Sequence, residues 1–409
     1  MVNAELKIPQ RTLSAAFGSI HLVQNAELES KSRMYLKMII RKAVKILIIS
    51  LILVALFSGT AFADENTDDE LYRESIDEIS KQLPDSVSKY LDGDMGAENG
   101  VVDSFLGIIN DILGNFGNTI KDPVKLFGLL CAVMVLCAAA GFYTNSDSRI
   151  MSENTVSLVG SLAVAGVIST VIMTAVNSAI STIELSEQFV MGFIPVFAGL
   201  IVSSGQITSA ALFGAGILAA ANAASSVITT FVKPLTGVML GLSLVSGIDD
   251  NGMVSVVNGM KKSAMWVMGI VTSLFVGIMG LQKMVTAQND NLAVRTTKYL
   301  VGSSLPVIGS SVSEAVATVS GSFKVIRATV GSAGIIALCG IFLPELIKLL
   351  LCSTALSFSA TVGDVIGIKN LSRSIRSIKG AIDIITAVLS FYFIALTMCT
   401  AIMISAGGN

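Results

Sequence analysis

Long apolar runs separated by short polar stretches recur along the chain from residue 124 onward. A membrane-crossing helix needs about 20 mainly apolar residues. The runs that meet or approach this length are Val124–Phe142, Val156–Ile180, Ile207–Phe231, Ala264–Leu281, Gly331–Leu351 and Ile382–Ser405. Shorter or more polar runs are Phe189–Val202, Leu235–Ile248 and Ser353–Ile368. The pattern predicts an all-α, polytopic helical membrane protein with about eight transmembrane helices.

Charged loops orient these segments, because Lys and Arg in short loops stay on the cytoplasmic side. Lys369–Lys379 carries basic residues and no acidic one, and Gln282–Val330 carries more basic than acidic residues. Both are therefore predicted to be cytoplasmic loops. For both to share a side, the chain must cross twice between them, so Ser353–Ile368 is predicted to be a separate, polar span. The count of eight crossings assumes that Phe189–Val202, which is short and contains Pro195, only dips into the membrane and returns.

A secretory-type signal precedes the membrane part. A basic flank at Lys37–Lys45 leads into the apolar run Ile46–Phe57, and Ala61-Phe62-Ala63 supplies the small residues that signal peptidase reads. Residues 34–63 are interpreted as a cleavable signal peptide. Residues 1–33 are interpreted as an extension from a mis-assigned start codon, since Met34 or Met38 would make a more ordinary start. Cleavage would leave residue 64 outside the cytoplasm.

Residues 64–122 form an acidic stretch that the signal would export, ahead of the membrane domain at 123–409. Apolar residues at helical spacing predict two amphipathic helices. The first has Leu71, Ile76, Ile79 and Leu83, and the second has Phe105, Ile108, Ile109, Ile112, Leu113 and Phe116. The stretch is either a small solvated region or a docking surface for another exported domain.

Composition supports a membrane protein and excludes several functions. The chain is 53% hydrophobic and only 14% charged, whereas soluble domains carry about 25% charged residues. Its net charge of −2 argues against nucleic acid as a partner. The single histidine, His21, precedes the signal, so the mature chain lacks histidine-based catalysis and histidine zinc ligands. We expect no enzyme activity, no metal and no cofactor.

Two proline-centred segments are the main candidates for a pathway through the membrane. Pro195 leads into Ser203, Ser204 and Gly205, and Pro306 leads into Gly309. Broken backbone in a bilayer is tolerated only where protein or water surrounds it, and paired interruptions are typical of transport sites. The alternative is that both are ordinary proline kinks. The polar stretch 303–322 could be a re-entrant hairpin, a surface helix or a partner-binding element.

Ionisable residues inside predicted spans are costly, which makes each a candidate site residue. Glu345 and Lys348 stand three residues apart, on one helix face. They could form an internal pair, or Lys348 could extend to the membrane surface. Asp364 is the other candidate, because its predicted span is otherwise uncharged.

Two segments carry a resemblance to a known family. Phe193-Ile-Pro-Val-Phe-Ala-Gly-Leu-Ile-Val-Ser-Ser-Gly205 and Arg295-Thr-Thr-Lys-Tyr-Leu-Val-Gly-Ser-Ser-Leu-Pro-Val-Ile-Gly309 resemble stage III sporulation protein AE. The resemblance covers roughly residues 64–408. It implies a membrane component of the complex that joins mother cell and forespore, located in the outer forespore membrane. Implied partners are the lipid bilayer, other stage III sporulation proteins and, indirectly, stage II sporulation protein Q. The family supplies no catalytic residues.

The resemblance implies a pore-forming or platform subunit of that channel complex. A stand-alone secondary transporter, with substrate bound near Pro195 and Pro306, is the alternative. Few intramembrane charges are available to couple an ion gradient, which counts against a transporter.

Overall fold

All the regular secondary structure in the described part of the chain is helical. The computed structural model describes residues 69–81, 83–91, 100–144, 153–227, 252–304 and 309–405, with a few positions between 230 and 241. The predicted signal peptide at 34–63 and the extension at 1–33 lie outside the described residues. The helices are α1 (Asp69–Ser80), α2 (Asp85–Ser88), α3 (Gly100–Gly114), α4 (Phe116–Thr119), α5 (Lys121–Thr144), α6 (Glu153–Ser203), α7 (Ile207–Val227), α8 (Gly252–Ser304), α9 (Gly309–Ile366) and α10 (Lys369–Ser405).

Several of these helices can cross a membrane. Within the described ranges, five are long and apolar enough: Phe116–Ala140, Val159–Ser203, Ser255–Leu281, Gly321–Ile366 and Lys369–Ile402. Ile207–Ala219 is a shorter apolar helix. The prediction of a polytopic helical membrane protein is confirmed, but the count of eight crossings is not.

The segment around Pro195 differs from its prediction. Phe189–Val202 is the C-terminal part of α6, which runs without interruption through Pro195. The expected dip and return was therefore wrong. The chain breaks nine residues after Pro195, at Ser204 and Gly205. Gly205 has a φ of 85°, a conformation that favours glycine.

The segment 353–368 also differs from its prediction. It continues α9 from the preceding apolar run, so a single uninterrupted helix connects the two charged segments. The premise of two separate crossings between them was wrong. Lys369–Lys379 is likewise the start of α10 and not a loop. Hydroxyl groups in α9 explain the error, because they donate to carbonyls three or four residues earlier and so let polar residues remain in a continuous helix. Such donors include Thr354, Ser357, Ser359 and Thr361.

Helices α9 and α10 form the centre of the structure. In their most apolar stretches 67% of α9 and 72% of α10 are buried, against 11% in α8. Helices α5, α6, α7 and α8 pack around this central pair. Helix α8 leaves large apolar side chains exposed, including Trp266, Leu274 and Leu281. Its outer face is therefore available to lipid or to another protein.

The helices before α5 pack against the membrane helices. Ile76 and Ile79 of α1 and Phe105 and Ile108 of α3 are buried, and α1, α2 and α3 all contact α9. The opposite face of α3 exposes Val102, Leu106 and Leu113. These helices thus join the membrane domain through one face, and α3 retains a second apolar face.

An ion pair links α3 to the segment that follows α2. Lys89 donates to Asp111, and the Tyr90 hydroxyl donates to the same carboxylate at 2.7 Å. The hydrogen bond from Lys89, with that from Tyr90, lowers the pKa of Asp111 below its ordinary value of 3.8. The link is therefore present at neutral pH and is lost only as pH falls below that value.

Glycines set the close approach of α9 to its neighbours. A Cβ atom added at Gly334 would collide with the Phe193 ring of α6, and one at Gly331 would collide with Ile404 of α10. Phe193 has little room to move, because its ring stacks on Phe189 at 5.4 Å and on Phe197 at 5.1 Å. Small residues at such crossings allow membrane helices to pack closely.

Gly334→Ala is expected to destabilise the protein by about 1 kcal/mol. Overpacking a filled core costs about 1–3 kcal/mol, and the better helix propensity of Ala offsets part of that loss. Thermal unfolding in detergent measures the effect through a thiol-reactive dye, since Cys339, Cys352 and Cys399 are buried in the folded state. Gly277→Ala on α8 is the matched control, because its added Cβ meets no atom within 4 Å. Equal melting temperatures for the two variants would contradict the close packing at Gly334.

Candidate functional site

The break between α6 and α7 is built around Gly205. The Gly205 N–H donates to the Val202 carbonyl at 2.8 Å, and the Gln206 N–H donates to the Ile201 carbonyl at 3.2 Å. These two bonds, with glycine in the left-handed conformation, form a Schellman motif that ends α6. The chain then starts α7 at Ile207. Ser204 and Gln206 are buried at this turn, whereas Ser203 is exposed.

Arg327 of α9 fills the space behind that turn. It is 2% exposed and donates to Gln206 Oε1 at 2.7 Å, to Ser204 Oγ at 3.4 Å and to the Ile404 carbonyl at 3.4 Å. These groups, the Arg327 cluster, join α9, the α6–α7 turn and the end of α10. Among the described residues, no carboxylate pairs with this guanidinium. The buried guanidinium, held by neutral acceptors, thus connects four helices, α6, α7, α9 and α10.

Of the Arg327 cluster, only Ser204 was a candidate site residue from the sequence. The sequence identified Ser204 and Gly205, but it assigned Arg327 to a cytoplasmic loop. Arg327 lies directly before an apolar run, and the positive-inside rule assigns a basic residue at such a position to a cytoplasmic loop. Nothing local in the sequence relates Arg327 to Gln206.

A second cluster connects α8, α9 and α10. Asp383 accepts from Lys261 of α8, from Lys379 at 2.7 Å and from Ser353 Oγ of α9 at 2.6 Å. We call these residues the Asp383 cluster. Asp383 was not a predicted site residue, although the spacing of Lys379 and Asp383 on one helix face was a signal for a pair.

Asp364 has partners and is not a lone intramembrane acid. It accepts from Ser372 and forms an ion pair with Arg376, across the turn where Gly367 has a φ of 91°. Both charged side chains are well exposed. Asp364 therefore closes the α9–α10 hairpin near a surface.

Glu345 and Lys348 line a cleft of about 480 Å³ between α5, α6 and α9. Among the described residues, no ion pair joins them to each other or to any other group. One carboxylate oxygen of Glu345 is buried without a hydrogen-bond partner. Asp122 and Lys125 of α5 line the same cleft.

The predicted site residues fall into separate places. At 1.5 Å per residue, Arg327 lies about 27 Å from Glu345 along α9, and Glu345 lies about 28 Å from Asp364. Pro195 is exposed on α6. Pro306 lies outside the described residues, and Gly309 begins α9. A single pathway that joins all the candidates is therefore not formed by the described residues.

Long apolar helices around the α9–α10 pair, joined by buried polar clusters, define a polytopic helical membrane protein. Within the described ranges, no group of three or more metal-ligating side chains is found. The family profile for stage III sporulation protein AE matches residues 87–407, and the chain belongs to this family. It is 24% identical over 349 residues to stage III sporulation protein AE of Bacillus subtilis (strain 168), covering 83% of this chain and 84% of the relative. No solved structure matches.

Proposed function

We propose that this protein is a membrane subunit, a pore or platform component, of a channel complex between mother cell and forespore that spore development requires. Membership of the sporulation family carries the proposal, because the match spans the membrane helices from α5 to α10. The sporulation role follows from the family. The place in a channel complex is the further step that we propose.

The Arg327 and Asp383 clusters fit a platform better than an ion-coupled transporter. The Arg327 and Asp383 clusters occupy their charged groups in contacts between helices. Asp364 is engaged in the same way at the α9–α10 turn. Charges committed to such contacts are poorly placed to bind and release a coupling ion.

The proposed location is the outer forespore membrane, with other stage III sporulation proteins as direct partners and stage II sporulation protein Q as an indirect one. The exposed apolar residues of α3, which lies before the first membrane-spanning helix, support this by offering a surface for a protein partner.

Deletion of the gene in its native sporulating host tests the role. We expect a loss of heat-resistant spores that a wild-type copy restores. The purified protein alone in liposomes should give no saturable flux. Normal spore counts after deletion would contradict the sporulation role. A saturable, substrate-dependent flux from the protein alone would instead favour the transporter.

A further inference from the structure

We propose that the cleft between α5, α6 and α9 binds the headgroup of a zwitterionic phospholipid that carries both a phosphate and a primary ammonium, as phosphatidylethanolamine does. The charged lining residues are Asp122, Lys125, Glu345 and Lys348. This proposal does not depend on the role in a channel complex.

The charges of the cleft match such a headgroup. Two carboxylates and two ammonium groups give the lining no net charge. Within the described part of the chain, none of the four forms an ion pair with protein. Unpaired ionised groups in a span are costly. A single zwitterionic ligand supplies both missing partners. Its ammonium pairs with Glu345 or Asp122, and its phosphate pairs with Lys348 or Lys125.

The position of the cleft favours a lipid. Every lining residue falls within three helices that are long and apolar enough to span a membrane. Asp122 and Lys125 lie in the first turns of α5, near the start of its apolar stretch, which is the level of lipid headgroups. Deeper along the cleft, Leu126, Leu129 and Val171 supply an apolar wall for an acyl chain.

The remaining polar groups of the cleft are already used. The Thr170 hydroxyl donates to the Val167 carbonyl at 2.8 Å, and the Thr174 hydroxyl donates to the Thr170 carbonyl at 2.9 Å. The four charged side chains are therefore the groups available to recognise a headgroup. A volume of about 480 Å³ is within the range of small-molecule sites.

Native mass spectrometry of the full-length, delipidated protein tests the proposal. The probes are phosphatidylethanolamine, phosphatidylglycerol and soluble phosphoethanolamine. We expect one phosphatidylethanolamine to be retained, and we expect Lys348→Gln to weaken its binding about tenfold. Lys262→Gln, which removes a lysine of α8 outside the cleft, should leave binding unchanged.

A second variant tests lipid binding without changing a charge in the cleft or the stability of the fold. Gly166 lines the cleft, and a Cβ added there meets no atom within 4 Å. Gly166→Leu should therefore fill the cleft, preserve the melting temperature and reduce lipid retention. Equal retention of phosphatidylglycerol, or tight binding of soluble phosphoethanolamine alone, would overturn the assignment to a zwitterionic lipid. The proposal would also be overturned if both cleft variants retained as much lipid as the wild type. The same holds if cross-linking from the cleft captured a partner protein and no lipid.

Discussion

Asp383→Ala is expected to reduce the stability of the protein by about 3–5 kcal/mol, the cost of removing one partner from a buried ion pair. The variant leaves Lys261 and Lys379 without their shared carboxylate, and it leaves Ser353 without its acceptor. The Asp383 side chain is 14% exposed and its lysine partners are 27% and 21% exposed, so water replaces the lost contacts only in part. Thermal unfolding in detergent, followed through the buried cysteines, measures the loss.

Asp364→Ala is the matched control for that variant. It removes the same type of side chain from the same helix pair, but the Asp364–Arg376 pair has exposures of 38% and 50%. Exposed pairs contribute about 0–1 kcal/mol. A loss at Asp364 as large as that at Asp383 would contradict the distinction between a buried connecting cluster and a surface pair.

Gln206→Leu is expected to destabilise the protein by about 1.5–3 kcal/mol, the range for hydrogen bonds to charged groups. It removes the shortest hydrogen bond of the buried Arg327 guanidinium and leaves two contacts at 3.4 Å. Gln188→Leu on α6 is the control, because Gln188 is exposed. The same thermal unfolding assay reports both.

A double variant separates the hydrogen bond from the packing of Gln206. Replacing both partners of a buried polar contact with apolar groups can be nearly neutral. We therefore expect Arg327→Met to cost much less in the Gln206→Leu background than in the wild type. Additive losses in the double variant would show that the two side chains do not stabilise each other.

The helical class and most spans could be predicted because apolar length is a local property. The same holds for the helix end at Ser204 and Gly205, where small polar residues follow an apolar run. The segment 353–368 was wrongly predicted to be a separate span for a physical reason. Hydropathy falls at residues such as Ser357 and Thr361, although their hydroxyls bond within α9 and leave the helix intact.

The polar clusters could not be predicted, because their partners are distant in sequence. Arg327 and Gln206 are 121 residues apart, and Lys261 and Asp383 are 122 apart. Each of these charges lies near the end of an apolar run, where the sequence alone indicates a loop. The sequence makes Glu345 and Lys348 candidates, but only packing brings Asp122 and Lys125 into the same cleft.

Affinity purification of the tagged protein from sporulating cells in mild detergent, followed by mass spectrometry, tests whether the protein is a subunit of a larger complex. An untagged strain provides the background. We expect other stage III sporulation proteins with exported domains to be recovered with the tagged chain. A single, monodisperse species that is stable without partners would contradict this expectation.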